Sequence, residues 1–167
     1  EIADRTEEDF AQVMALRGER APWSEEGRAR QDAARAAAGG RKALGWGYPM
    51  MMNSATPLAF VITPELTIII NAYNETRYIY TDGREMPDEY DMWPTTWGTS
   101  VGHWEGDTLV IETTNLTGET RMNIVGPGNK PIPTSDRQTV IERLTPVGPD
   151  TILYEATVRD PVVLTGP

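Results

Sequence analysis

The chain has 167 residues, of which 39% are hydrophobic and 24% charged, with a formal net charge of −10 and no cysteine. That length and composition fit one globular domain with a real core and exclude a disordered chain. The acidity disfavours nucleic acid and anionic membrane as partners, no apolar run approaches the roughly 20 residues of a membrane-spanning helix, and the lack of cysteine excludes disulfide frameworks, thiol nucleophiles and cysteine-based metal sites.

The charge is unevenly spread. Residues 1–42 carry eight basic and nine acidic groups, and residues 43–167 carry seven and sixteen. The patterning changes at the same place, which predicts a helical N-terminal arm over 1–42 and a β-domain over 43–167. In the arm, Thr6 and Asp9 resemble a capping box, and Phe10, Val13 and Met14 recur at helical spacing. Pro22 breaks this helix. Ser24 is placed to cap a second one, which Ala-rich sequence sustains to Ala38 and Gly39-Gly40 ends. The second helix has almost no large apolar residues and is expected to lie on the surface or to be partly mobile. The chain begins at Glu1 without Met or an apolar signal region, as expected of a trimmed or processed chain.

From Leu58 onward the signals are those of strands and turns. Strands are expected at Leu58–Thr63, Thr67–Tyr73 and Arg77–Thr81, separated by Pro64-Glu65 and Asn74-Glu75. Ser100–Trp104 and Thr108–Thr114 flank Glu105-Gly106-Asp107, a tight hairpin in which Gly106 supplies a positive φ. Thr139–Leu144 and Thr151–Arg159 form another across Pro149-Asp150. Close spacing without alternating helices predicts an antiparallel sheet, either a barrel or a strongly curved sheet, because closure buries one face and removes edges.

The segment 77–117 concentrates the residues with chemistry: the only histidine, His103, and three of the five tryptophans. Its runs Thr76–Arg84 (TRYIYTDGR), Pro94–Trp97 and Ser100–Thr113 (SVGHWEGDTLVIET), with Pro49–Met52, Glu142–Pro161 (ERLTPVGPDTILYEATVRDP) and the opening Pro22–Gly27, resemble a family of uncharacterised secreted bacterial proteins. The hairpin is also similar to those of small lipocalin-like barrels. The resemblance implies an exported protein, secreted or periplasmic, and carries no reaction with it. The chain departs from the pattern in lacking a Cys before Pro49, in having Thr134-Ser135 where His-Ser is usual, and in stopping at Pro167 before a Cys-His-Glu tail.

Each candidate residue has a bland reading beside the functional one. His103 is either an acid–base group or a histidine hydrogen-bonded within the sheet. Asp82, before Gly83, is either a turn residue or a general base oriented by Arg77 or Arg84. Arg77 would clamp an anion, and Tyr80 would donate a proton. Tyr73, Tyr78, Trp93, Trp97, Trp104 and Met51 are either barrel packing or the lining of a pocket for a small molecule. The carboxylates Glu85, Asp88, Glu89 and Asp91 fit no calcium loop and read as a solvated acidic turn. One histidine and no cysteine argue against a zinc site, and no nucleotide-binding fingerprint or nucleophile elbow is present, so neither metal nor cofactor is expected.

Three functions follow. The first is an exported barrel binding a small apolar or aromatic molecule. The second is a cofactor-independent lyase, isomerase or hydrolase on the same scaffold. The third is a cell-envelope interaction module using an exposed sheet edge. A small-molecule ligand or substrate is the expected partner, a homo-oligomer is left open, and membrane insertion is not expected.

Overall fold

The structure is a computed structural model, which describes residues 22–36, 47–53, 56–88, 91–118 and 133–166. The expected first helix, Gly39-Gly40, Ala38, Glu89 and most of the Gly/Pro-rich loop 126–133 lie outside the described residues. What is described is mostly β: one helix and a seven-stranded, strongly curled half-barrel sheet.

The helix α1 spans Glu25–Ala36. Ser24 caps it as the sequence predicts, its Oγ accepting from the Gly27 N–H at 2.9 Å, with Glu25 and Glu26 in the first turn where the helix dipole favours acids. The cap is stitched to the C-terminal turn. Ser24 N–H donates to the Val163 carbonyl at 2.9 Å, its hydroxyl donates to the Val162 carbonyl, and Trp23 bridges to Leu164. Gly27 is required by this contact: a Cβ there would lie 2.2 Å from the Val163 carbonyl oxygen, so any side chain would push the helix away.

The strands are β1 (Leu58–Ile62), β2 (Leu66–Asn71), β3 (Thr76–Tyr80), β4 (Thr99–Glu105), β5 (Thr108–Thr114), β6 (Thr139–Gly148) and β7 (Thr151–Arg159), and they lie in the sheet in chain order. Five neighbouring pairs are antiparallel. The sixth, β3 with β4, is parallel, through Ile79 opposite Ser100 and Tyr80 opposite Val101. The mostly antiparallel, strongly curved sheet expected from spacing is thus present, with one parallel pair within it. Residues 81–98 form the connection, long enough to return the chain to the end of the sheet where β3 began. This crossover is pinned to the segment that follows β5: Thr95 N–H donates to the Asn115 carbonyl at 3.1 Å, and Thr117 N–H to the Thr95 carbonyl at 2.9 Å. At the β4–β5 hairpin Gly106 has φ 61°, as the turn requires.

The pairing register sorts the side chains onto two faces. The inner face carries Phe60, Ile69, Arg77, Ile79, Ser100, Gly102, Trp104, Leu109, Ile111, Thr113, Val140, Glu142, Leu144 and Tyr154. Met51, from a short 3₁₀ turn at Met50–Asn53, fills the curl against Ile69, Ile79, Leu109, Ile111 and Leu144. Each such side chain contributes roughly 1.5–3 kcal/mol on burial. Glu112 alternates to the outer face and is exposed, as the phase of Leu109 and Ile111 predicts. Among the described residues the sheet stops short of closure, and β1 and β7 are its two edges.

Candidate functional site

Two groups of ionisable residues stand on opposite faces. The inner one is built around Arg77 of β3, wholly buried in phase with Ile79. Its guanidinium holds Glu142 of β6 through two bonds, 3.0 Å from Nη1 and 2.5 Å from Nη2. Nη2 also donates to the Thr113 hydroxyl at 2.8 Å, and Ser100 Oγ accepts from Nε at 3.3 Å and Nη2 at 3.2 Å. The Tyr48 ring covers the guanidinium at 3.9 Å. Tyr154 of β7 donates its hydroxyl to Glu142 at 2.9 Å. The buried charges thus meet opposite charge and hydrogen bonds on nearly every side, which is the condition for tolerating them.

The electrostatics follow from this arrangement. Burial alone would lower the Arg77 pKa, but Glu142, with Tyr48 and Tyr154 adding to it, more than offsets this, and the guanidinium stays firmly charged. Burial, then the Glu142 charge, pushes the Tyr48 and Tyr154 hydroxyls above their ordinary values. Both phenols stay protonated. Tyr154 uses its proton on Glu142, whereas the Tyr48 hydroxyl is buried without a partner at normal hydrogen-bond geometry.

The outer group is exposed. Arg84 grips Asp82 with Nε at 2.9 Å and Nη2 at 2.6 Å, and its guanidinium lies 3.9 Å from the Tyr80 ring. His103 Nε2 lies 3.2 Å from Glu105, which also accepts from Arg143 at 2.8 Å. Hydrogen bonds from Arg84 hold the Asp82 carboxyl below its usual range, and bonds from Arg143 and then His103 do the same for Glu105. A depression of about 320 Å³ lies here, lined by Gly83, Arg84, Val101, His103, Val110 and Glu112, among others.

The residues singled out from sequence therefore divide. Asp82, Tyr80 and His103 belong to the outer face, with the 82–84 turn and His103 bordering one depression; Arg77 is inside, engaged by Glu142. Among the aromatics, Tyr73 is exposed at the β2–β3 turn, Tyr78 is exposed on the outer face, and Trp93 is 90% exposed in the crossover. Trp97 packs against the inner core, and Met51 is wholly buried within it. Trp104 stands on the inner face at the open end, 43% exposed. Glu142, Tyr48 and Tyr154 escaped the sequence reading. The signal for Glu142 was present: it lies in phase with Val140 and Leu144, as Arg77 lies in phase with Ile79, and two opposite charges on inward positions imply each other.

Among the described residues there is no cluster of three or more His, Asp or Glu side chains placed to hold a metal, and no helix long and apolar enough to cross a membrane. No protein-family model, curated protein or solved structure matches the chain.

Proposed function

We propose that the protein binds a small apolar or aromatic molecule at the open end of the inner face. One observation carries the reading: the row Trp104–Leu109–Leu144–Tyr154, formed by directly paired residues across four strands. Its two aliphatic members are buried, while the aromatics at its ends are partly open, Trp104 at 43% and Tyr154 at 38%. Three strand spacings separate the aromatics, about 14 Å along the sheet and less across a curl. A ring-sized ligand would span that gap on an apolar floor. Tyr154 ties the floor to Arg77–Glu142, so its ring is held in one orientation before any ligand arrives, which lowers the entropic cost of binding. Export rests on the sequence resemblance. The acid–base alternative needs His103, Asp82 and Arg77 around one substrate, and the sheet stands between Arg77 and the other two.

The test is a saturation-transfer NMR screen of single-ring aromatic and short aliphatic compounds, repeated on variants. A binder should lose about tenfold or more in affinity with Trp104→Ala and with Tyr154→Ala, the effect of removing an aromatic anchor, and nothing with Trp93→Ala. A screen without binders, or a binder indifferent to Trp104, refutes the reading.

A further inference from the structure

The last strand, β7, is the edge of the sheet, and among the described residues no strand pairs with its outer side. Alternate residues of an antiparallel edge strand turn both backbone groups away from their neighbour, so β7 offers a row of free donors and acceptors. Edges are usually blunted by lysine, proline or brevity. This one is nine residues long, TILYEATVR, and has neither residue. It also exposes Ile152, Leu153 and Tyr154 in succession, with Val147 beside them on β6.

We propose that β7 pairs with β7 of a second copy of this chain, antiparallel about a twofold axis at Leu153, making one continuous sheet. The twofold constrains the register. Inner face must stay with inner face, so each residue meets one of its own parity. Centring on Glu155 would use the whole strand but set Glu155 against itself, and directly opposed like charges are unfavourable. Centring on Tyr154 would set Leu153 against Glu155, centring on Ala156 would set it against Arg159, and centring on Thr157 would place it beyond the ladder, against the turn after Arg159. Centring on Leu153 sets Leu153 against Leu153 on the outer face and Ile152 against Tyr154 twice on the inner face. Glu155 then meets Thr151. All the exposed apolar residues of β7 are covered and no like charges are opposed. The contact also lies at the far end of the strand from the α1 docking site at Val163 and Leu164. It would seat Ile152 of the partner copy beside Tyr154, so the open aromatic row would be completed by the second subunit.

The chain has no cysteine, so single-cysteine scanning reads the register without background. Directly opposed residues have Cα atoms about 4.5–5.5 Å apart, inside the range a disulfide bridges. The protein should have twice the chain mass by light scattering at about 100 µM, falling towards the monomer on dilution as mass action requires. Under mild oxidation Leu153→Cys should give a linked dimer at least about tenfold faster than Glu155→Cys or Thr157→Cys, whose Cα atoms are displaced along the strand by about 3.3 Å per residue from the axis on each copy. Leu153→Lys should weaken the dimer at least about tenfold while the circular dichroism spectrum stays that of the parent, since an edge lysine opposes pairing without entering the core. A monomer at all these concentrations overturns the proposal. Faster linkage through Glu155→Cys or Thr157→Cys overturns the register and with it the completed aromatic row. None of these measurements involves a ligand, so they succeed or fail separately from the binding reading.

Discussion

The two faces of the sheet carry the same chemical pair in different surroundings. Inside, Arg77 holds Glu142 through two nitrogens, and both side chains are buried. Outside, Arg84 holds Asp82 through two nitrogens at similar distances, and both are in water. Geometry alone would rank them equal. Solvent separates them: outside, water replaces a lost partner at once, whereas inside nothing does. The inner pair is therefore bound to the integrity of the fold, and the outer pair is free to change.

The largest effect should come from breaking the inner pair. Glu142→Leu leaves the Arg77 charge buried without its counter-ion, and unfolding in urea should show a loss of about 3–5 kcal/mol. Replacing both, Arg77→Met with Glu142→Leu, should recover most of that loss, since two apolar side chains strand no charge. If the double variant is no better than the single one, the bonds from Ser100, Thr113 and Tyr154 matter more than the charge.

Asp160 asks whether burial or an ionic partner makes an inner carboxylate indispensable. It is buried, but its partners are neutral: the Ser135 N–H at 2.7 Å, the Ser135 hydroxyl at 2.6 Å, and the N–H groups of Val162 and Val163 at 3.2 and 3.3 Å. Asp160→Ala should cost about 1.5–3 kcal/mol by strands-and-turn unfolding in urea, the range for hydrogen bonds to a charged group, and so less than Glu142→Leu. An equal or larger cost would show that the charge partner is not what sets the inner pair apart. Tyr154→Phe is milder still. It removes one donor to Glu142 while Arg77 keeps the carboxylate paired, so the low end of that range, about 1.5 kcal/mol, is expected.

The contrast between the faces also explains what was legible in the sequence. Strand positions were readable because alternation is local: Thr108–Thr114 and Thr151–Arg159 fall where their patterns put them. The outward turn of Glu112 followed from its phase with its neighbours. The parallel β3–β4 pair was not readable, because it depends on where residues 81–98 travel rather than on any strand's composition. The inner site was half readable. Arg77 drew attention as a candidate anion clamp, but its partner lies 65 positions away, and Tyr48 comes from a segment with no strand pattern. His103 drew attention by being the only histidine, a property of composition that says nothing about which face it occupies.

The smallest effects belong to the outer face, and they test whether it is as dispensable as water makes it. Asp82 and Glu105 have depressed pKa values in the folded chain. Their contribution is present above the unfolded carboxylate pKa of about 4 and is lost as pH falls through the lower folded values. A variant with Asp82→Asn and Glu105→Gln should therefore melt less steeply with falling pH between about pH 4 and 2, with little change at neutral pH. His103→Gln is expected to do less again. The imidazole is mostly exposed and its hydrogen-bond partner among the described residues is Glu105, which retains Arg143 when the ring is removed. The melting temperature at pH 7 should move by less than about 2 °C, the size of an ordinary surface substitution in a domain of this length. The same variant should bind any ligand found in the screen as tightly as the parent, because His103 and the Trp104–Tyr154 row are on opposite sides of the sheet. A large drop in affinity with an unchanged melting temperature would move the binding site to the outer depression beside Arg84 and Glu112, and would reverse the roles assigned to the two faces.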